Sequence, residues 1–408
     1  MRCRHCHQII ETSFIDLGSA PPSNAYLTQE KLRSPEKYFP LRVSVCTNCW
    51  LVQTEDFANA EELFDADYAY FSSFSKTWLT HAQQYAADMT QRFELTGQSH
   101  VVEVAANDGY LLQYFQQKGI PCLGIEPTTS TAAAARAKGL KVVENFFGTQ
   151  LAYDLVNQGQ QADLMVANNV LAHVPDINDF ISGFAILLKP EGVVTFEFPH
   201  LLQLIENNQF DTIYHEHFSY LSLTSIKQIF TVNGLSIFDV EELSTHGGSL
   251  RVYAQRQDTG SKPLADNVHQ LLGQEVRFGL LEEKLYGNFQ KRANQVKDDF
   301  LSFLLEAKRQ DKVVGAYGAA AKGNTLLNYA GIRPDLIAFV ADRNPAKQGK
   351  YLPGSRIPIV DESYVKAARP DYVVVLPWNI KAEVITQLAY IRNWGGRFVS
   401  AVPQMEIV

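Results

Sequence analysis

No run of apolar residues in this chain is long enough to cross a bilayer. The opening MRCRHCHQII also lacks the apolar stretch that a secretory signal needs. Positive charge is in deficit: 36 Lys and Arg stand against 44 Asp and Glu, a formal net charge of −8. That balance disfavours nonspecific attraction to nucleic acid or to an anionic membrane. Cysteine is scarce and odd in number, five in 408 residues, which argues against a disulfide framework. Internal repeats and long low-complexity segments are missing as well. These absences predict a cytoplasmic protein with neither membrane nor nucleic acid as partner. Apolar residues are not lacking: at 46% they suffice for packed cores, and the length suits two or three domains.

Four of the five cysteines form two Cys-x-x-Cys knuckles, Cys3 with Cys6 and Cys46 with Cys49. Each such turn can present two thiolates to one ion, and two turns complete a closed tetrahedral Cys₄ zinc site. With no coordination position open, the metal is expected to be structural. His5 and His7 are near enough to ligate, but four thiols already fill the site. The stretch between the knuckles holds Pro21, Pro22, Pro35 and Pro40 and is too small for an independent core, so metal is its expected staple. This lobe is expected over 1–66. Residues 65–76, at its far end, are dense in aromatics and hydroxyls. Packing explains much of that, but Tyr68 on a cofactor side and Tyr70 on a substrate side could close over a flat or cationic ligand.

From His100 the pattern turns to alternating strands and helices. Short apolar strands are expected at 101–105, 122–126, from 141, at 163–167 and at 192–198, with helices between. Such alternation calls for a mostly parallel sheet with ligands at the strands' carboxyl ends. Glu103, Ala105, Asn107 and Gly109 form a strand end and tight turn, and Glu126 closes the next strand, where a carboxylate can accept both ribose hydroxyls. A nicotinamide cofactor would favour G-x-G-x-x-G, because its pyrophosphate needs close backbone approach. Only Gly109 remains of that pattern here. S-adenosylmethionine, which has no phosphate, fits the departure better. This domain is expected over 67–258.

Between this region and the carboxyl-terminal one lies Tyr214-His215-Glu216-His217-Phe218-Ser219-Tyr220. Four groups that move or share protons are consecutive in it. In an extended segment Tyr214 and Glu216 share one face, His215 and His217 the other; in a helix the four wrap most of a turn. Either arrangement could put a phenol, a carboxylate and an imidazole around one substrate. A His-x-His metal pair and a hydrogen-bonded strand end are the alternatives.

Farther on, 222–240 reads as a helix and a strand, 249–253 as a strand, and 264–308 as one long charged amphipathic helical stretch bridging domains. Arg251 could meet a diphosphate or pair at the surface. Strands are expected at 312–317, 336–340 and 372–377. The turn at 318–325 into a helix suits phosphate at its backbone amides, or the unit is purely structural; its Lys-Gly order departs from a P-loop. This second α/β unit is expected over 259–408.

The blocks 101–112, 167–176, 197–200, 214–220 and 245–251 resemble the S-adenosylmethionine-dependent sugar C-methyltransferase family. The resemblance extends over nearly the whole chain, including the Cys₄ segment and the blocks 318–325 and 342–349. It implies a class I Rossmann-like methyltransferase domain flanked by a small zinc-binding domain and a second α/β domain. It implies an enzyme that methylates a carbon of a nucleotide-linked ketodeoxysugar, carried on dTDP in many members. The cofactors implied are S-adenosylmethionine and structural Zn²⁺, and the expected oligomeric state is a monomer. By the resemblance, Glu103, Ala105, Asn107, Gly109 and Glu126 would hold the donor, with Asn168, Asn169 and His173 bordering its pocket. His217 would be the general base, Glu216 an orienting group or an alternative base, and Tyr214 the donor to the developing oxyanion. His215, Arg251, Lys322 and Asn324 would face the substrate. Carbon beside a ketone is a far weaker acid than imidazolium, whose pKa is about 6.5, so a base alone is not enough. The enolate oxygen needs donors as the proton leaves. O-methylation and a noncatalytic sugar-nucleotide sensor are the rival readings.

Overall fold

The computed structural model describes residues 1–57 and 71–408. The central element is a seven-stranded sheet. Its strands run in the order Leu235–Leu243, Ser249–Arg256, Leu188–Pro199, Ala162–Asn168, Val101–Val104, Cys122–Ile125, Val142–Val143. All neighbours pair parallel except Ser249–Arg256, which is antiparallel to both of its partners. The strand-order reversal falls between Val101–Val104 and Ala162–Asn168, the place where open α/β sheets bind ligands. Every residue of Val101–Val104 is buried, as the near-continuous apolar run of a parallel strand requires.

A six-stranded sheet follows, in the order Ile359–Val360, Val340–Ala341, Val314–Tyr317, Tyr372–Val375, Arg397–Ser400, Glu406–Ile407. Only its last strand is antiparallel. The two sheets repeat one detail. Glu126 accepts from the Asn107 and Thr128 amides at 2.9 Å each. Asp342, at the equivalent strand end, accepts from Ala319 at 2.7 Å and Asn344 at 2.8 Å. In each unit a strand-end carboxylate ties down the turn that follows the first strand.

Two expected elements differ. The 264–308 stretch is three helices, Asp266–Phe278, Glu283–Gly287 and Phe289–Arg309. Gly279 ends the first in the left-handed region at φ 94°, and Leu280 beyond it is buried, with its carbonyl held by the Tyr286 hydroxyl at 2.7 Å. The strand expected at 336–340 shrinks to Val340–Ala341. No helix among the described residues is long and apolar enough to cross a membrane.

The amino-terminal lobe is an antiparallel sheet of Thr12–Ala20, Phe39–Val45 and Val52–Thr54, to which Ser219–Tyr220 adds as a fourth strand. Its two knuckles bring the Cys3, Cys6, Cys46 and Cys49 sulfurs within 4.8 Å of one another, with Cys3–Cys49 and Cys6–Cys46 at 3.5 Å. Thiolates at about 2.3 Å from a tetrahedral zinc lie about 3.8 Å apart, so the cluster fits the ion. His5 is not a ligand: its Nδ1 pairs with Asn178 Oδ1 at 2.8 Å, while Asn178 Nδ2 returns to the His5 carbonyl at 2.9 Å. Arg4 donates to the Pro175 carbonyl at 2.9 Å. The knuckle therefore grips the 175–178 segment of the central domain. Replacing Cys49 by Ser should reduce bound zinc below one ion per chain and lower Tm by roughly 5–10 °C. Metal analysis and a melting curve with and without chelator check this.

Candidate active site

At the carboxyl ends of the central sheet, on the strand-order reversal, lies a cavity of about 400 Å³. Ala105, Asn107, Glu126, Asn168, Asn169 and His173 line it, as expected from the sequence. Ala105, Asn107 and Asn169 hold φ values of 59°, 49° and 54°. Such left-handed residues are uncommon outside glycine and cluster at functional sites. Glu126 spends one lone pair of each oxygen on a backbone amide and keeps acceptor capacity beyond that. Asn168 is 7% exposed, and neither its carbonyl oxygen nor its amide nitrogen has a partner among the described residues. A buried amide left open on a cavity wall keeps its donor and acceptor for water or a polar ligand there.

Two residues expected at the donor stand behind the cavity. Glu103 is 1% exposed and absent from the wall; burial pushes its carboxyl well above the usual range, with Tyr110 as a countering hydrogen-bond neighbour. Alternation along the strand explains this, since Val104 and not Glu103 faces the cavity. Gly109 serves packing: at φ 75°, a Cβ there would lie 2.2 Å from Leu140 Cδ1. Tyr68 and Tyr70 lie outside the described residues.

The heptapeptide is neither extended nor helical at its start. The His217 amide donates to the Tyr214 carbonyl at 2.9 Å, closing a turn, and the chain then joins the amino-terminal sheet at Ser219. The turn sends its side chains three ways. Tyr214 and His217 go together, ring centroids 4.0 Å apart. His215 turns to the Phe39 and Pro40 carbonyls, each at 3.2 Å, and is a tie to the amino-terminal lobe. Glu216 Oε2 accepts from Asn24 Nδ2 at 2.7 Å, while Oε1 is buried without a partner among the described residues. Since His215 and His217 point to different partners, the His-x-His metal pair is not formed.

His217 holds one defined tautomer. Its Nδ1–H donates to the Thr212 carbonyl at 2.9 Å, which leaves the lone pair on Nε2. Burial, then the neighbouring His173, Lys322 and His246, holds its pKa well below the ordinary imidazole value, so the ring is neutral. The His173 ring lies 4.7 Å from it edge-on, and His173 Nδ1–H donates to the Glu216 carbonyl at 2.8 Å. Because His173 also lines the cavity, one imidazole joins the cavity wall to His217. Burial pushes the Glu216 carboxyl up to about 7.

The carboxyl-terminal domain reaches the same place. Lys322 Nζ lies 4.5 Å over the Trp378 ring and donates to Asn379 Oδ1 at 2.7 Å; burial lowers its pKa. Trp378 Nε1 donates to Asp211 Oδ2 at 2.7 Å, and burial pushes Asp211 up to about 6. Asn324 instead donates to the Ser23 carbonyl at 2.6 Å, a strut between lobes. Arg251 also departs from a substrate role. It is 5% exposed and pairs with Glu197 at 2.7 Å and Glu241 at 3.0 Å, over the Tyr85 ring. The sequence reading passed over Asn24, Trp78, Asp211, His246 and Trp378. Asp211 stands three residues before the heptapeptide and His246 precedes a glycine pair, which are faint signals; Asn24 and Trp378 come from distant segments and left none.

The raised Glu216 pKa has a stability consequence. Between pH 4.5 and about 7 the folded chain holds a proton that the unfolded chain has released, so this residue's contribution falls as pH rises through that window. Glu216→Gln mimics the protonated acid. Its Tm should match the parent's at pH 5 and exceed it at pH 8, as melting curves at both values would show.

Known proteins give the site its setting. A model described as a C-methyltransferase C-terminal domain matches residues 244–403, a methyltransferase domain model matches 78–240, and a zinc binding domain model matches 3–64. The C-methyltransferase NovU of Streptomyces niveus is 33% identical over 406 residues, covering 100% of this chain and 96% of its own. A ubiquinone biosynthesis O-methyltransferase of Rhodopseudomonas palustris is 26% identical over 94 residues, 23% of this chain and 37% of its own. Among solved structures, magnesium protoporphyrin IX methyltransferase from Synechocystis with bound SAM aligns at 18% identity and a TM-score of 0.34, over 44% of this chain and 79% of that one. A full-length relative at this identity, the matching models and the zinc-type cluster agree with the blocks read from the sequence: the chain belongs to the S-adenosylmethionine-dependent sugar C-methyltransferase family.

Proposed function

We propose that the protein transfers the methyl group of S-adenosylmethionine to the carbon beside the ketone of a nucleotide-linked 4-keto-deoxysugar, with dTDP as carrier, in the cytoplasm. The observation that carries this is a neutral His217, its tautomer fixed by Thr212, packed against an imidazole of the donor-cavity wall. A buried uncharged base next to a methyl donor suits abstraction of a proton from carbon. The donor supplies an electrophilic methyl and, in leaving, an uncharged sulfur.

In this reading Ala105, Asn107, Glu126, Asn168 and Asn169 hold the donor. His217 Nε2 takes the proton, and the Tyr214 phenol beside it faces the sugar. Glu216, half protonated near pH 7, can donate to a substrate oxygen or accept from a hydroxyl. Lys322, on the carboxyl-terminal side, supplies positive charge for the nucleotide end or the growing enolate. Alignment of carbon with methyl is then the remaining task, and the packed imidazoles limit how either can move.

Incubation with labelled donor and a panel of nucleotide ketosugars should place a new methyl on carbon next to the carbonyl, located by NMR. Transfer to oxygen, or to none of the panel, would reject the reading. His217→Ala should bind the donor normally by calorimetry and lose turnover by roughly 10²–10⁴-fold. Undiminished turnover in that variant would remove His217 as the base. Glu126→Ala should weaken donor binding by about tenfold or more in the same calorimetric assay.

A further inference from the structure

The loop joining Leu235–Leu243 to Ser249–Arg256 is held in an unusual shape. His246, Gly247 and Gly248 have φ values of 54°, 91° and 113°. Gly247 sits so close to Trp378 that a Cβ would lie 2.3 Å from its Cη2, and Gln209 Nε2 donates to the Gly247 carbonyl at 2.8 Å. Gly248 is pressed on Gln203 in the same way, with 2.6 Å to Cγ. The loop is thus clamped by the carboxyl-terminal domain on one side and by the 201–209 segment on the other. Its one residue with a full side chain in the left-handed region is His246.

That clamp delivers the His246 ring to the wall of the donor cavity, 5.2 Å from the Trp78 ring. Trp78 in turn stacks on His81 at 4.8 Å and Tyr110 at 5.8 Å, so the platform beneath is rigid. His246 Nε2 is buried and has no partner among the described residues. A buried ring nitrogen left open is unfavourable, and the strained backbone adds to that cost. Packing on Trp78 alone requires neither. The ring also lies within electrostatic reach of His217 and Lys322.

We infer that His246 is a further catalytic residue, donating a ring N–H to the acceptor's ketone oxygen as that oxygen takes on enolate charge. The inference rests on the enolate chemistry proposed above. In the step it serves, the C–H electron pair becomes the carbon–carbon double bond, the carbonyl pair moves to oxygen, and the proton goes to His217 Nε2. The enolate carbon then takes the methyl, and the S–CH₃ pair stays on sulfur. His246 lends a hydrogen bond and transfers no proton. Burial, then Lys322, pushes its pKa down to about 4, so the ring is uncharged at neutral pH. An uncharged donor is what this wall requires: a fixed cation here would repel the sulfonium of the methyl donor and depress His217 further.

The experiment isolates enolisation from methyl transfer. Enzyme saturated with S-adenosylhomocysteine is mixed with the nucleotide ketosugar in D₂O, and NMR follows exchange of the hydrogen beside the ketone. His246→Gly relaxes the positive φ while removing the ring; it should slow exchange roughly 10²–10³-fold, with S-adenosylhomocysteine affinity within about threefold of the parent. Added imidazole should restore part of the rate, which a purely structural role would not allow. His246→Asn tolerates the left-handed backbone and should show the same loss if the glycine variant folds poorly. Exchange within about threefold of the parent in either folded variant would overturn the inference, as would a loss of activity matched by the loss of S-adenosylhomocysteine affinity. If the parent itself exchanges no ketosugar, the proposed function fails and not merely the role of His246.

Discussion

The structure depends on taking one short turn out of water. Residues 211–217 carry Asp211, His215, Glu216 and His217, and burial shifts each of them toward its uncharged form. Desolvation of this many ionisable groups is unfavourable unless their remaining polar atoms find partners. The chain supplies them from every side: Thr212 and Glu216 carbonyls to the imidazoles, Asn24 to Glu216, Phe39 and Pro40 to His215, Trp378 to Asp211. The three lobes are arranged as they are because each closes part of that account of donors and acceptors. Glu216 Oε1 is left open, buried without a partner among the described residues.

Contacts between lobes follow from the same requirement. Residues 23–26 touch both the turn and the carboxyl-terminal unit: Asn24 on Glu216, the Ser23 carbonyl on Asn324, and Tyr26 on the Ala319 carbonyl at 2.6 Å. Thr325 Oγ1 donates to the Ile213 carbonyl at 2.8 Å. One apolar core runs through all of this, from Phe14 and Val43 through Leu201 and Phe210 to Phe300 and Val374. A core shared in this way makes the two outer lobes poor candidates for hinged motion.

The elements set by local pattern were legible in the sequence. Apolar runs such as 101–104 and 163–167 announce parallel strands, the cysteine spacing announces a metal cluster, and Asn168, Asn169 and Glu126 fall on strand ends where ligands gather. Four features were not legible, for separate physical reasons. The 264–308 helix looked continuous because Gly279 is a single residue whose left-handed cap has meaning only once Leu280 has a core to enter. The heptapeptide gave no period because a turn has none. Arg251 carries the same charge whether it meets a diphosphate or an interior Glu197, and sequence alone does not separate the two. Partners drawn from afar, such as Asn24 and Trp378, are invisible to any local pattern.

The zinc knuckle has a consequence beyond its own lobe. Through His5 on Asn178 and Arg4 on Pro175 it fixes the segment that carries His173 onto the cavity wall. A ligand on that wall whose binding depends on the position of this segment would be thermodynamically linked to the metal. By reciprocity, an ion that steadies the cavity for its occupant is itself held more tightly when the occupant is present. A metal held in another lobe would in that way be a silent participant in ligand affinity.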